Sequence, residues 1–134
     1  MASQTENRRI GEKESSVLKS TLSGANIFLR GLMEFSIIAA FAYWGYTTGN
    51  TNGTRILLAI AAPVIGFGFW GLVDFHQAGS AAEALRLIQE LIVSGLAAAA
   101  LVVSGQSALG IALAIISVVH HALVYGLGQT LLKN

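Results

Sequence analysis

Two arginine–glutamate pairs with one spacing, Arg30/Glu34 in LRGLMEF and Arg86/Glu90 in LRLIQEL, lie inside apolar stretches that otherwise avoid charge. A third polar feature, His120-His121 in SVVHHALVY, interrupts the last such stretch. A carboxylate withdrawn from water either takes a proton or meets a cation, and intramembrane carboxylates mark proton relays and substrate pathways. Neutral imidazole can shuttle protons, ligate a metal or take an axial haem position. The candidate sites are therefore a buried polar cluster of Arg30, Glu34, Arg86 and Glu90, and a proton or cofactor site at His120 or His121. Neighbouring histidines with no further spaced partner do not form a metal-ligand pattern, and there is no cysteine, so no metal site is assigned and any cofactor stays unidentified. Hydrogen-bonded structural histidine is the plain alternative, as ion pairing that fixes helix register is for the four charges.

The elements that must position these groups follow from the gaps between charges. After Glu34 no Asp, Glu, Lys or Arg occurs until Arg55, none from there until Asp74, and none between Glu90 and Lys133. The chain is 54% hydrophobic and 11% charged, with a mean hydropathy of +0.65, whereas soluble domains carry roughly 25% charged residues. About 20 apolar residues cross a hydrocarbon core about 30 Å thick. The last gap is long enough for two crossings, and Ser104-Gly105-Gln106-Ser107 divides it. The expectation is an all-α integral membrane protein, a bundle of four transmembrane helices at 27–46, 55–73, 84–103 and 108–128. Continuous apolar runs without alternation exclude a membrane β-barrel.

A shift of 56 positions places Leu29, Arg30, Glu34 and Ala42 on Leu85, Arg86, Glu90 and Ala98, which suggests two tandem helical hairpins. Copies of two helices each enter a membrane the same way up, so the repeated charges share one depth. The glutamates then sit about 10 Å below the arginines' end of each span, at 1.5 Å per residue, and should face the bundle interior. Arginine N-terminal to glutamate at i,i+4 places the cation at the positive end of the helix dipole. Cross-pairing of Arg30 with Glu90 and of Arg86 with Glu34 is the expected alternative.

Residues 1–25 mix both charge signs with Ser, Thr and Gly and hold no signal-peptide core, so they are expected to be a polar cytoplasmic tail, disordered to Glu14, with a short amphipathic turn at 15–22 as an alternative. Residues 26–134 form the membrane domain. Of the 8 Lys and Arg residues only Arg55 falls on the side opposite the termini, which predicts that both termini are cytoplasmic. A net charge of +1, with Glu6, Glu12 and Glu14 among the basic residues of the tail, argues against nucleic acid as a partner. Pro63 should kink the second helix, and Gly66, Gly68, Gly71, Ser94, Gly95, Gly110 and Ala114 form small-residue faces that let helices approach closely. Asp74-Phe75-His76-Gln77 lacks a nucleophile to complete a catalytic set, so no enzyme is expected.

The segments LRGLMEFSIIAAFAYWGY, FWGLV, LRLIQELIVSGLAAAALVVSG and LVYGLGQ, in this order and spacing, resemble the YrdB-like family of small bacterial four-helix membrane proteins over 27–129. The motifs are Glu34, Trp44-Gly45, Trp70-Gly71, Arg86, Glu90 and Gly128-Gln129; LVDFHQAG stands where that family continues toward a proline-containing loop. The resemblance implies a bacterial inner-membrane protein and transfers no catalytic residue. Two roles are expected from these readings. One is a structural or accessory subunit, a homo-oligomer or part of a larger complex in the lipid bilayer. The alternative is a small proton- or cation-coupled transporter or channel using Glu34 and Glu90, with a cofactor-binding subunit using His120 or His121 as a lesser one.

Overall fold

The computed structural model describes residues 1–132, Ala2 by its backbone alone. Among them it has four α-helices, α1 (Ala2–Thr48), α2 (Asn52–Leu72), α3 (Ala82–Val103) and α4 (Ser107–Gly126), a 3₁₀ segment at His76–Ala81, and no strand. All four α-helices include a stretch long and apolar enough to cross a membrane.

The polar N-terminal segment corrects the expectation of a disordered tail, because it continues α1 without a break to Ala2. Its Glu, Gln, Lys and Arg residues are good helix formers, no proline intervenes, and a helix already nucleated by its apolar half extends at the cost of one residue per new hydrogen bond. At 1.5 Å per residue α1 is about 70 Å long, roughly twice a hydrocarbon core.

Local signals set the remaining ends. α2 begins three residues earlier than expected, because Thr51 and Thr54 form a reciprocal capping box, the Thr51 side chain accepting from the Thr54 N–H at 3.2 Å and the Thr51 N–H donating to Thr54 Oγ1 at 2.9 Å. α3 and α4 end alike. Gly105 (φ 83) and Gly128 (φ 67) take the left-handed conformation after each helix, and the next residues close back, Gln106 N–H to Leu101 O and Gln129 N–H to Val124 O, both at 2.8 Å. This Schellman closure satisfies terminal carbonyls and, at α4, turns the Gln129 side chain toward α1.

The helices form two consecutive antiparallel hairpins. Both hairpin loops lie at one end of the bundle, where Thr47 Oγ1 reaches Ser104 Oγ at 3.3 Å and Gln106 donates to Tyr43 at 3.3 Å. At the opposite end Glu83 accepts from the Leu131 and Leu132 N–H groups at 2.6 and 3.2 Å. α1 packs on α2 and α3 on α4, and the hairpins join chiefly where α1 meets α3 and α4. The core is Met33, Ile37 and Ala40 of α1, Val93, Ala97, Ala98 and Leu101 of α3, and Leu113 of α4. Two glycines permit the close approaches. A Cβ on Gly45 would collide with the Leu58 carbonyl of α2, and one on Gly110 would stand 2.7 Å from Ala98 O of α3. α2 buries no residue, and its outward Ile56, Leu57, Ile60, Val64, Ile65 and Phe69 leave an apolar surface of the kind acyl chains cover.

Candidate functional site

Glu90, in the third turn of α3, is 2% exposed and bonds both its own preceding turn and α4. Its Oε1 accepts from Arg86 Nε at 3.0 Å, and its Oε2 lies 3.1 Å from His121 Nε2 of α4. Arg86 is held further by α2, donating through Nη1 to Trp70 O at 2.9 Å and to Gln89 Oε1 at 3.0 Å, with its guanidinium 4.4 Å from the Trp70 ring centre. Gln89 in turn donates to Phe69 O at 2.7 Å, so the last turn of α2, left short of intrahelical partners, is capped by α3 side chains. Beneath this layer Ser94 Oγ and Ser117 Oγ lie 2.8 Å apart across the α3–α4 contact.

Hydrogen-bond roles settle the proton count of the pair. His121 Nδ1 is 2.6 Å from Ser117 O, a group that can only accept, so Nδ1 carries hydrogen. The His121–Glu90 bond therefore needs one further proton, on Nε2 beside a carboxylate or on Oε2 beside a neutral imidazole. Either way Glu90, His121 and Arg86 close on one another within the protein.

The structure overturns the cross-pairing. Arg30 bonds Glu34 at 2.9 Å and Arg86 bonds Glu90 at 3.0 Å, each pair within one helix turn. A cation four residues away needs no interhelical reach, and that proximity outweighs the modest dipole disadvantage. The two pairs differ in surroundings: side-chain exposure is 27% and 32% for Arg30 and Glu34, against 12% and 2% for Arg86 and Glu90. Glu34 is not brought to Glu90 by any bond, although Arg30 lies within electrostatic reach of Glu90, His120 and His121.

Adjacent residues on a helix point about 100° apart, and the two histidines go to different helices accordingly. His120 faces α1, its Nδ1 2.7 Å from Asn26 Oδ1. Asn26 Nδ2 donates to Gln129 Oε1 at 3.2 Å, and Gln129 Nε2 donates to Ser23 Oγ at 2.9 Å, a relay that orients each amide and makes His120 Nδ1 the donor. His120 is 1% exposed, and its Nε2 has no partner among the described residues.

Asn26, Gln89, Ser117 and Gln129 are the buried or bridging polar residues that reading the sequence missed, while Ser94, expected on a small-residue packing face, does lie at the α3–α4 contact. The Gly128-Gln129 pair stood out only as part of a resemblance, and a glycine followed by glutamine at a helix end was the available signal. No group of three or more His, Asp or Glu side chains capable of holding a metal occurs among the described residues. Outside the helices, Asp74 accepts from the His76 N–H at 2.9 Å and approaches its ring Nδ1 at 2.6 Å. These contacts with His76 hold the Asp74 carboxyl below its ordinary range.

A family model described as "Protein of unknown function (DUF2568)" matches residues 28–118. No curated protein and no solved structure matches the chain.

Proposed function

Because this chain belongs to the DUF2568 family of proteins of unknown function, its role has to be argued from its own residues, and we propose a non-enzymatic four-span protein of the bacterial inner membrane that serves as a structural or accessory subunit. The YrdB-like resemblance over 27–129 is part of this reading, as is descent of the two hairpins from one duplicated unit. The closed Arg86–Glu90–His121 network carries the proposal: polar groups saturated by one another fasten α2, α3 and α4 and are not free for turnover. Uncovered small residues favour association with a second copy or a larger complex, since a Cβ on Gly71 of α2 or Gly95 of α3 would meet nothing within 4 Å. Crosslinking and native mass spectrometry in nanodiscs test this reading. Oligomers or a stoichiometric membrane partner are expected, and a strictly monomeric protein without any partner overturns it.

The single proton held between His121 and Glu90 favours a second reading, a proton-coupled transporter in which that proton leaves and returns. Vesicles containing the protein would then show pH-driven flux that Glu90→Gln abolishes; flux equal in the variant removes this carboxylate from any mechanism. For the cofactor alternative, His121 has both nitrogens engaged, and His120 Nε2 is the one imidazole nitrogen of the pair without a partner among the described residues, buried where a haem or metal would need side chains to move. An absorbance spectrum of the purified protein decides that point.

A further inference from the structure

α1 carries a second apolar line besides the one that enters the core. Met33, Ile37 and Ala40 turn inward, whereas Ile10, Val17, Phe28 and Phe35 are each at least half exposed. Their spacings of 7, 11 and 7 residues keep all four within about 20° of one line at about 100° per residue, and that line is roughly 38 Å long. Gly24 and Gly31 lie on the same face, one turn to either side of Phe28, and a Cβ on either would meet nothing within 4 Å. Glycine inside a helix is unfavourable against alanine, and the single chain gains no close contact from these two. The line also runs through two solvents. Acyl chains can cover Phe28 and Phe35, which belong to the apolar run that begins near residue 27. Ile10 stands 17 residues before Ile27, about 25 Å further along the axis, well past a headgroup layer roughly 6 Å deep. Whatever covers the whole line must be a helix that leaves the membrane beside α1 and continues into water.

We propose that this partner is α1 of a second copy, and that two chains pair through this face as a parallel, left-handed coiled coil running from the membrane into water. α1 has the required length, and copies in one membrane insert the same way up, so their α1 helices lie parallel about a twofold axis along the membrane normal. The residues fit a heptad frame, with Ile10, Val17, Gly24 and Gly31 at d and the two phenylalanines at a. Each Phe28 ring then enters a hole that the partner's Gly24 and Gly31 leave open, which gives the glycines a purpose the single chain lacks. In the same frame Asn7 and Glu14 are a positions. Asn7 meets its own equivalent, an amide that both donates and accepts, and Glu14 lies beside the partner's Lys13. Lipid satisfies neither of these polar layers. The inference rests on the subunit role proposed above and names the face, which is separate from Gly71 of α2 and Gly95 of α3.

The chain has no cysteine, so single cysteines report the face directly. In liposomes at a high ratio of lipid to full-length protein, oxidation should link copies with cysteine at Ile10 or Val17 about tenfold faster, or more, than copies with cysteine at Ser15 or Lys19, because only facing d positions bring two Cα atoms within disulfide reach. Gly24→Leu combined with Gly31→Leu fills the hole and should weaken association about ten- to hundredfold, read by energy transfer between labelled copies as the membrane is diluted with lipid. Both leucines stand at open positions of a helix, and an unchanged melting profile would establish that this variant is folded. Equal linking at Val17 and Lys19, or undiminished association of the double variant, overturns the α1 pairing. If oligomers or a stoichiometric partner persist in that event, the subunit role stands with another face; a monomer without any partner removes both.

Discussion

His121 of α4 and Glu90 of α3 share one proton across 3.1 Å, and that bond, together with the 3.0 Å bond from Arg86, makes the most buried carboxylate of the chain a junction of three helices. Removal of one partner leaves the others uncompensated in a low-dielectric site. Glu90→Leu should therefore cost about 3 to 5 kcal/mol, whereas Glu90→Leu combined with His121→Leu should cost less than the sum of the two singles. Glu34→Leu, in a pair about a third exposed, should cost about 1 kcal/mol or less. Unfolding in a mild detergent measures all four proteins, and equal losses at Glu34 and Glu90 would contradict the asymmetry.

Glycines that line contacts should respond differently from those that do not. Gly45→Ala forces a Cβ against the Leu58 carbonyl, a backbone atom that cannot swing aside, and should destabilise by about 1 to 3 kcal/mol. Gly71→Ala meets nothing within 4 Å and lies inside a helix, so it should be neutral or stabilising by up to about 1 kcal/mol in the isolated protein. Thermal melts of the two variants separate these cases.

The absence of cysteine makes topology directly measurable. Single cysteines at Gln4 and Ser80 should react with an impermeant maleimide only from the cytoplasmic face, and one at Asn50 only from the other, as the bias of Lys and Arg toward the termini dictates. Labelling of Gln4 and Asn50 from one side would rule out four crossings.

Asp74, in the link after α2, has its carboxyl lowered first by the His76 N–H and then by the His76 ring. A depressed carboxyl contributes its stabilisation above the ordinary Asp value near 3.9, and that contribution fades as pH falls through the lower folded value. An NMR titration should therefore place Asp74 below the ordinary midpoint, and His76→Ala, which retains the backbone donor, should move it only part of the way back. A midpoint at or above the ordinary value would refute the contact.

What the sequence determined by itself was whatever rests on local composition. Charge-free gaps of span length dictated four helices near 27–46, 55–73, 84–103 and 108–128, because hydrocarbon solvation depends on the run of side chains and not on their partners. The i,i+4 spacing of Arg30/Glu34 and Arg86/Glu90 allowed both the bond within a turn and the bond across helices, and the helix-dipole argument pointed to the one the structure does not show. Only tertiary structure decided this, by bringing Trp70 O to Arg86 and His121 to Glu90 while leaving Arg30 partly open. The same limit hid Asn26 and Gln129, 103 residues apart in sequence and joined by a 3.2 Å bond, since two amides just outside the expected spans look like solvated polar residues until the Schellman turn after α4 aims Gln129 at the middle of α1. The helical N-terminal segment lay between these extremes. Its residues favour helix weakly, and continuity with an apolar span supplied the nucleation that a free polar segment lacks.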